Sequence, residues 1–300
     1  MNKLKMTAPL QGFWGLRRAA PLALGMAAAL LASSAQGQAW SFRDPGLWSS
    51  GVSVPPAILP PMANLTWWMS ADYGAKNASG VACAEGDGVA TWVNAGTTHD
   101  VASALGLSNP FGTPGMVWNG TAGPGGKPTL TGVTAGQNNW LFATGGSDGP
   151  GFPLTCFVLL KVDTASGSPV LWCGLSAANT FQFDYAGADG GGANQLVVYE
   201  PNNTSPMYRG ALPDLSGWTV LTLCYNGASS FVRVNGVQTL AFDIGGSARS
   251  FGEIAVGNTW GGGPYEFLGK IPEMLIYRGR TFTSDDLGAV EAYLRTKYGL

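Results

Sequence analysis

Histidine is almost absent from this chain of 300 residues, in which His99 is the single example. Zinc sites with several histidine ligands, and serine–histidine triads with a spare histidine, are therefore excluded. His99 precedes Asp100, and such a pair can act as a dyad only beside a positioned nucleophile. We interpret His99 as a residue of a surface loop.

Charged residues are also scarce, at 11% of the chain with a net charge of -2. Proteins that bind nucleic acid carry a basic stripe, or arginines interleaved with aromatic residues. This sequence has neither pattern, so nucleic acid is excluded as a partner.

The apolar run at residues 21–32 is too short to span a bilayer. It follows four basic residues and no acidic residue, and small residues lead from it to Ala39. This order is typical of an export signal. We predict a signal peptide at residues 1–39, with a retained N-terminal arm as the alternative.

Prolines interrupt the next segment, residues 40–63, which also contains Trp40 and Trp48. A proline-rich stretch cannot pair in the middle of a sheet, so the segment is predicted to be an extended linker or strap. Because exposed tryptophan is costly, Trp40 and Trp48 are expected to dock onto the domain or onto a neighbouring subunit.

Glycine and tryptophan are abundant in the rest of the chain, which reads as short strands separated by turns. Residues 154–162 and 218–225 are apolar on both faces, and residues 181–185 alternate aromatic and polar side chains. Asn226-Gly227 and Asn235-Gly236 suit tight hairpin turns. The pattern predicts one all-β jelly-roll sandwich at residues 64–300.

The chain closes with a predicted strand around residues 274–277 and a short C-terminal α-helix. Thr283 suits the N-cap position with Asp286 as its capping-box partner, and Gly299 suits the C-cap. An apolar stripe follows helical spacing at Leu287, Val290 and Leu294. We place Glu291 on the exposed side of this helix.

This ending resembles the C-terminal signature of the concanavalin A-like lectin/glucanase superfamily in its laminin-G-like form. The matching residues are Gly269, Ile271, Glu273, Ile276, Tyr277, Arg278, Phe282, Thr283, Glu291, Tyr293, Leu294, Lys297, Tyr298 and Gly299. Residues 65–71, with Trp68, and residues 86–96 resemble two earlier segments of the family. Asn94 and Ala95 depart from it, because the family usually has Asp and Ser there. The resemblance implies a concanavalin A-like jelly roll, but the fold alone does not imply an activity.

Catalytic branches of the resembled superfamily carry acidic residues at alternate positions of one strand, since glycoside hydrolysis needs two carboxylates at a fixed separation. The nearest approach here is Glu85-Gly-Asp87, which has loop composition and lacks a third acid. We therefore predict that the protein is not an enzyme.

Calcium is the ion most compatible with such a sandwich, because it takes loop carboxylates and carbonyls as ligands. Asp184 and Asp189 are the first candidates, and Glu85 with Asp87 the second. The ligand density is low, and solvated turn acids are the alternative interpretation. No cofactor is firmly implied.

Aromatic side chains can form a platform on which a sugar ring stacks. We predict Trp68, Trp260 and Tyr265 as ligand-binding residues. Trp68 shares a strand face with the polar residues Thr66 and Ser70, and Trp260 and Tyr265 lie in a glycine-rich loop. Apolar neighbours indicate that the other tryptophans of the domain are core residues: Trp92, Trp118, Trp140, Trp172 and Trp218.

Four cysteines are present, and Cys156 and Cys224 lie on strands that could be neighbours and form a bridge, whereas Cys83 and Cys173 have no assigned partner. Oxidised pairs would support export, and free thiols would favour assembly in a reducing cytoplasm.

The sequence favours a secreted or cell-surface, lectin-like module that binds a glycan or surface polymer. The alternative is a structural accessory protein of a phage particle, which would lie in the virion and contact neighbouring subunits.

Overall fold

The computed structural model describes residues 60–61, 63–95, 107–108, 115–132, 141–143, 153–163, 170–176, 179–185, 195–199, 206–244, 253–257 and 267–300. The predicted signal peptide, most of the predicted strap, and His99, Asp189, Trp260 and Tyr265 lie outside these residues. The described residues all belong to one compact unit, Pro55–Leu300.

The described part of the chain consists mainly of strands. In chain order they are β1 (Leu65–Ser70), β2 (Ala75–Lys76), β3 (Thr91–Trp92), β4 (Leu107–Ser108), β5 (Met116–Asn119), β6 (Thr129–Gly132), β7 (Leu141–Ala143), β8 (Leu154–Val162), β9 (Val170–Ser176), β10 (Asn179–Tyr185), β11 (Gln195–Tyr199), β12 (Pro206–Ala211), β13 (Thr219–Tyr225), β14 (Ser230–Val234), β15 (Val237–Phe242), β16 (Glu253–Val256) and β17 (Gly269–Arg278). Helix α1 (Ser284–Tyr298) follows the last strand.

The strands form two antiparallel sheets. The first sheet has the order β15-β14-β13-β8-β17-β6-β5, and β1 pairs with β17 beside β6. The second sheet has the order β12-β11-β10-β9-β16-β7-β4-β3-β2. The prediction of an all-β sandwich with a C-terminal helix is confirmed.

Strand β8 shows how the layers are built, because its two faces enter different clusters. Cys156 and Val158 belong to the main core, which also includes Leu141 and Leu196 of the second sheet. Phe157 and Leu159 point the opposite way, into a helix-side cluster that contains the buried residues of α1. The first sheet is therefore the middle layer, and a strand apolar on both faces is required there.

Helix α1 begins and ends as predicted. The Thr283 side chain accepts a hydrogen bond from the Asp286 backbone N–H, and the Asp286 carboxylate accepts one from the Thr283 N–H. At the other end Gly299 has φ of 67°, and Leu300 N–H donates to the Arg295 carbonyl at 2.9 Å. These bonds form a Schellman motif, although Leu300 itself stays 42% exposed.

The two Asn-Gly dipeptides behave differently. Asn235 and Gly236 have φ of 52° and 87°, which confirms the tight turn between β14 and β15. Asn226 has φ of -151°, so the tight turn predicted there is wrong. A short 3-10 segment, Gly227–Ser229, joins β13 to β14 instead.

The bridge between Cys156 and Cys224, which the sequence left open, does not form. Their strands are neighbours, but Cys156 pairs with Leu223 and Cys224 pairs with Thr155. Because successive residues of a strand point to opposite faces, the two thiols lie on opposite faces of the first sheet. Cys83 is not bridged either.

Two glycines provide a paired test of the fold. A Cβ at Gly269 would meet the carbonyl oxygen of Lys161 on β8 and lie 2.7 Å from the Phe267 ring. We expect Gly269→Ala to lower the free energy of unfolding by about 1–3 kcal/mol, as overpacking does. Gly288→Ala is the matched control, because nothing lies within 4 Å of a Cβ at this helical position. It should stabilise the protein by about 0.5–1 kcal/mol in the same urea titration, and equal effects at the two sites would contradict the packing argument.

Candidate functional site

Trp68 is the described member of the predicted ligand-binding residues. It lies on β1, is half-buried and packs against the helix-side cluster. Its indole N–H donates to Oε1 of Glu273 at 2.6 Å. The indole is therefore held by the protein between the first sheet and α1, and its role in ligand binding stays a prediction.

Glu273 lies at the centre of a buried polar network beneath α1. It is fully buried on β17. Its Oε1 also accepts from the Tyr293 hydroxyl at 2.7 Å, and its Oε2 accepts from Lys297 Nζ at 2.6 Å and from the Tyr298 hydroxyl at 3.0 Å. Four donors, three of them from α1, thus compensate the carboxylate for the loss of water.

Lys297 links this network to the end of β1. Its ammonium donates to Ser70 Oγ at 3.0 Å and to Asp72 Oδ1 at 3.2 Å, while the Ser70 hydroxyl donates to the same Asp72 oxygen. The ammonium therefore contacts two carboxylates, Glu273 and Asp72. The network ties the last turns of α1 to both β1 and β17.

The tyrosine hydroxyls of this network are held in the protonated form. Burial, and next the neighbouring Glu273 carboxylate, raise the pKa of Tyr293 and of Tyr298 far above the usual range. Both hydroxyls can therefore only donate to Glu273, and neither is suited to act as a base.

Glu291 forms a second buried polar network, so its predicted exposure is wrong. It is 4% exposed, and it accepts from the Thr222 hydroxyl at 2.8 Å and from Arg233 Nη2 at 3.0 Å. The same Arg233 nitrogen donates to the Gly236 carbonyl at 2.6 Å. The helical spacing could have predicted this burial, because Glu291 lies one turn from both Leu287 and Leu294 and therefore on the same face as the apolar stripe.

Glu85 and Asp87, the second calcium candidate, lie in an exposed loop, where each carboxylate accepts hydrogen bonds from the protein. Glu85 accepts from Asn119 Nδ2 at 3.0 Å and from the Gly120 N–H at 2.6 Å. Asp87 accepts from Asn77 Nδ2 at 3.1 Å and from the Ala84 N–H at 3.0 Å. These bonds hold the pKa of both carboxyl groups below the usual range.

The first calcium candidate is described only in part. Asp184 lies on β10, paired with Val197 of β11 and Val170 of β9, and its side chain lies outside the described structure, as does Asp189. Within the described residues, no group of three or more histidine, cysteine or acidic side chains could hold a metal ion.

Asn94, which departs from the family pattern, has a role that an aspartate could not fill. Its Oδ1 accepts from the Trp68 backbone N–H at 2.8 Å, and its Nδ2 donates to the Thr66 carbonyl at 2.9 Å. A carboxylate can accept but not donate. The amide therefore completes the edge of β1, next to the Glu273 network.

The last described residues of the predicted strap contact the strand and turn that precede α1. Pro60 is buried, the Tyr277 hydroxyl donates to the Pro61 carbonyl at 2.9 Å, and Arg280 Nη1 donates to the Ala63 carbonyl at 3.3 Å. The Arg280 guanidinium also lies 4.4 Å from the Phe282 ring centroid, within the range of a cation–π contact. This part of the strap is therefore bound to the sandwich.

The buried carboxylates and helix α1 both serve the packing of the first sheet. Both fully characterised buried carboxylates, Glu273 and Glu291, have their oxygens engaged by protein donors. Helix α1 packs on one face of the first sheet against β8, β13 and β17, and the main core occupies the other face. None of the described helices is both long and apolar enough to cross a membrane.

No protein-family model matches the chain, and no curated protein matches it. Among solved structures, the chain is similar to domain 4 of a GH43 extracellular arabinanase from Geobacillus stearothermophilus, in complex with arabinotriose. The two are 16% identical with a TM-score of 0.47, and the match covers 76% of this chain and 98% of that domain. The receptor-binding domain of botulinum neurotoxin type G is 10% identical with a TM-score of 0.49, and covers 78% of this chain and 51% of that one. Trypanosoma rangeli sialidase in complex with the inhibitor DANA is 15% identical with a TM-score of 0.48, and covers 85% of this chain. This chain spans 37% of the sialidase.

Proposed function

We propose that the chain is a non-enzymatic, lectin-like module of the concanavalin A-like type that binds a glycan or surface polymer. The observation that carries the proposal is the engagement of Glu273 and Glu291 by protein donors. A glycosidase needs a carboxylic acid and a carboxylate that both reach the substrate. These two side chains instead hold α1 to the sheet, which is a structural use.

The binding surface is assigned to loops at one end of the sandwich, next to the second sheet. Helix α1 packs on the outer face of the first sheet against β8, β13 and β17. Trp260 and Tyr265 belong to a glycine-rich sequence between β16 and β17, and β16 is an inner strand of the second sheet. An aromatic ring there would stack on a sugar, while Asp184 and Asp189 would supply oxygen ligands to a bound calcium ion.

The test is a glycan array probed with the full chain and with two variants at one position. We expect Trp260→Ala to weaken binding by about tenfold or more, as loss of an aromatic anchor does, and Trp260→Phe to retain most of the binding. A parallel array with a chelator tests the calcium proposal. Wild-type protein that binds no glycan, or that cleaves the arrayed glycans, would overturn the proposal.

Export is a separate part of the proposal and has its own measurement. If residues 1–39 are a signal, the intact mass of the mature protein lacks them. Retention of these residues would contradict export and favour assembly within a phage particle. In that case the same fold would serve attachment to neighbouring subunits.

A further inference from the structure

The chain contains three Asn-Gly dipeptides, at residues 119–120, 226–227 and 235–236, and all three lie in the described structure. Such dipeptides can deamidate without an enzyme. The backbone nitrogen of the glycine attacks Cγ of the asparagine, a C–N bond forms, and ammonia leaves with the proton of that nitrogen. Water then opens the cyclic imide to aspartate or isoaspartate. From the sequence alone the three dipeptides are expected to deamidate at the same rate, because the same residue, glycine, follows each asparagine.

Asn119-Gly120 is held away from this reaction. The Gly120 N–H, which is the nucleophile, donates to Glu85 Oε2 at 2.6 Å, and Asn119 Nδ2, which is the leaving group, donates to Glu85 Oε1 at 3.0 Å. Thr131 Oγ1 donates to Asn119 Oδ1 at 2.7 Å. Ring closure must therefore break hydrogen bonds at both reacting groups.

Asn235-Gly236 is held by β13. The Val220 backbone N–H donates to Asn235 Oδ1 at 3.0 Å, and the Asn235 N–H donates to the Val220 carbonyl at 2.8 Å. The side-chain amide is fixed on the neighbouring strand, so the attack on Cγ requires its release.

Asn226-Gly227 lacks such restraints. Within the described residues, no hydrogen bond engages the Asn226 side-chain amide, which is half-buried at the surface. Gly227 is the first residue of the 3-10 segment, where a backbone N–H has no partner inside the helical turn. Both reacting groups are therefore available.

We propose that Asn226 is the site at which this protein deamidates spontaneously, and that Glu85 protects Asn119 from the same reaction. Conversion to isoaspartate would insert an additional backbone atom into the connection between β13 and β14. That connection depends on bonds from Ser229 N–H to the Asn226 carbonyl at 3.0 Å and from the Asn226 N–H to Ser230 Oγ at 2.9 Å. The product would be a distinct, charge-altered form of the folded protein.

In the experiment the full chain is incubated at mildly alkaline pH, both folded and unfolded in urea. Deamidation at the three asparagines is measured by mass spectrometry of the corresponding peptides, and isoaspartyl methyltransferase provides a second assay for isoaspartate. We expect the native rate at Asn226 to exceed those at Asn119 and Asn235 by about tenfold or more, because the latter two must first break hydrogen bonds. In urea the three rates should converge. A native rate at Asn226 that does not exceed the other two would overturn the proposal.

Glu85→Ala and Glu85→Gln separate protection by Glu85 from the strand context of Asn119. We expect Glu85→Ala to accelerate deamidation at Asn119 by about tenfold while Asn226 keeps its rate, since the two loops share no hydrogen bond. Glu85→Gln retains one acceptor and should have a smaller effect. An unchanged Asn119 rate in Glu85→Ala would show that Glu85 does not protect it.

Discussion

Glu273→Ala is expected to lower the free energy of unfolding by about 3–5 kcal/mol, the range observed when one partner of a buried ion pair is removed. Four donors lose their acceptor at once: Trp68 Nε1, the hydroxyls of Tyr293 and Tyr298, and Lys297 Nζ. The Lys297 side chain is only 17% exposed, so water cannot fully replace the carboxylate. Urea denaturation followed by circular dichroism measures the change.

Two control variants show whether the carboxylate itself matters. Glu273→Gln keeps the shape and one acceptor oxygen, but it cannot accept from donors on both sides, so its effect should be smaller than that of Glu273→Ala. Asp214→Asn changes an exposed loop carboxylate whose partner is the nearby Ser216, and it should leave the denaturation midpoint unchanged. A midpoint for Glu273→Ala equal to that of Asp214→Asn would refute the structural role of Glu273.

Trp92→Ala should have an effect of comparable size from a different cause. The side chain is fully buried in the main core, and large-to-small substitutions of aromatic core residues cost about 3–5 kcal/mol. Its indole N–H donates to the Ser70 carbonyl at 2.9 Å, which joins β3 of the second sheet to the end of β1 in the first. Loss of this side chain removes both packing and a link between the sheets.

Trp92→Phe reduces the packing loss but still removes the hydrogen bond. Phenylalanine cannot donate and leaves a smaller cavity than alanine, so the lost hydrogen bond contributes about 1–2 kcal/mol with the buried carbonyl left unpaired, in addition to that cavity. Trp118→Ala serves as the comparison, because Trp118 is only half-buried although it also donates to a carbonyl, that of Ala71. If Trp118→Ala costs as much as Trp92→Ala, burial is not the cause.

Local rules account for the features that were predictable from the sequence. The capping box at Thr283, the left-handed glycine at Gly299 and the turn at Asn235-Gly236 each depend on residues within five positions of one another. The doubly apolar pattern of residues 154–162 likewise indicated a strand that is buried on both faces. Such signals need no knowledge of distant partners, because backbone geometry and side-chain period fix them.

The wrong turn at Asn226-Gly227 is a local error, whereas the other two corrections concern contacts between distant parts of the chain. Glu291 was placed in water, yet its partner Thr222 is 69 positions away along the chain. Cys156 and Cys224 were placed on neighbouring strands correctly, but the one-residue register of β8 against β13 puts them on opposite faces. Register is decided by the whole hydrophobic pattern of a sheet and not by either strand alone.

The candidate site also combines features that the sequence indicated with contacts that it did not. The residue types of the Glu273 network could be read in the C-terminal signature, but its most distant donor, Trp68, is 205 positions earlier. The predicted roles of Trp260, Tyr265 and Asp189 concern residues outside the described structure and stay predictions.

By itself, the sequence determined the alternating strands, the capped C-terminal helix and the scarcity of catalytic groups, because these follow from local periodicity and composition. Only the tertiary structure decided that Glu273 and Glu291 are buried and hold α1 to the first sheet. The physical reason is that a carboxylate can be buried only where donors converge on it. That convergence is created when β1, β13 and β17 are brought together under the helix.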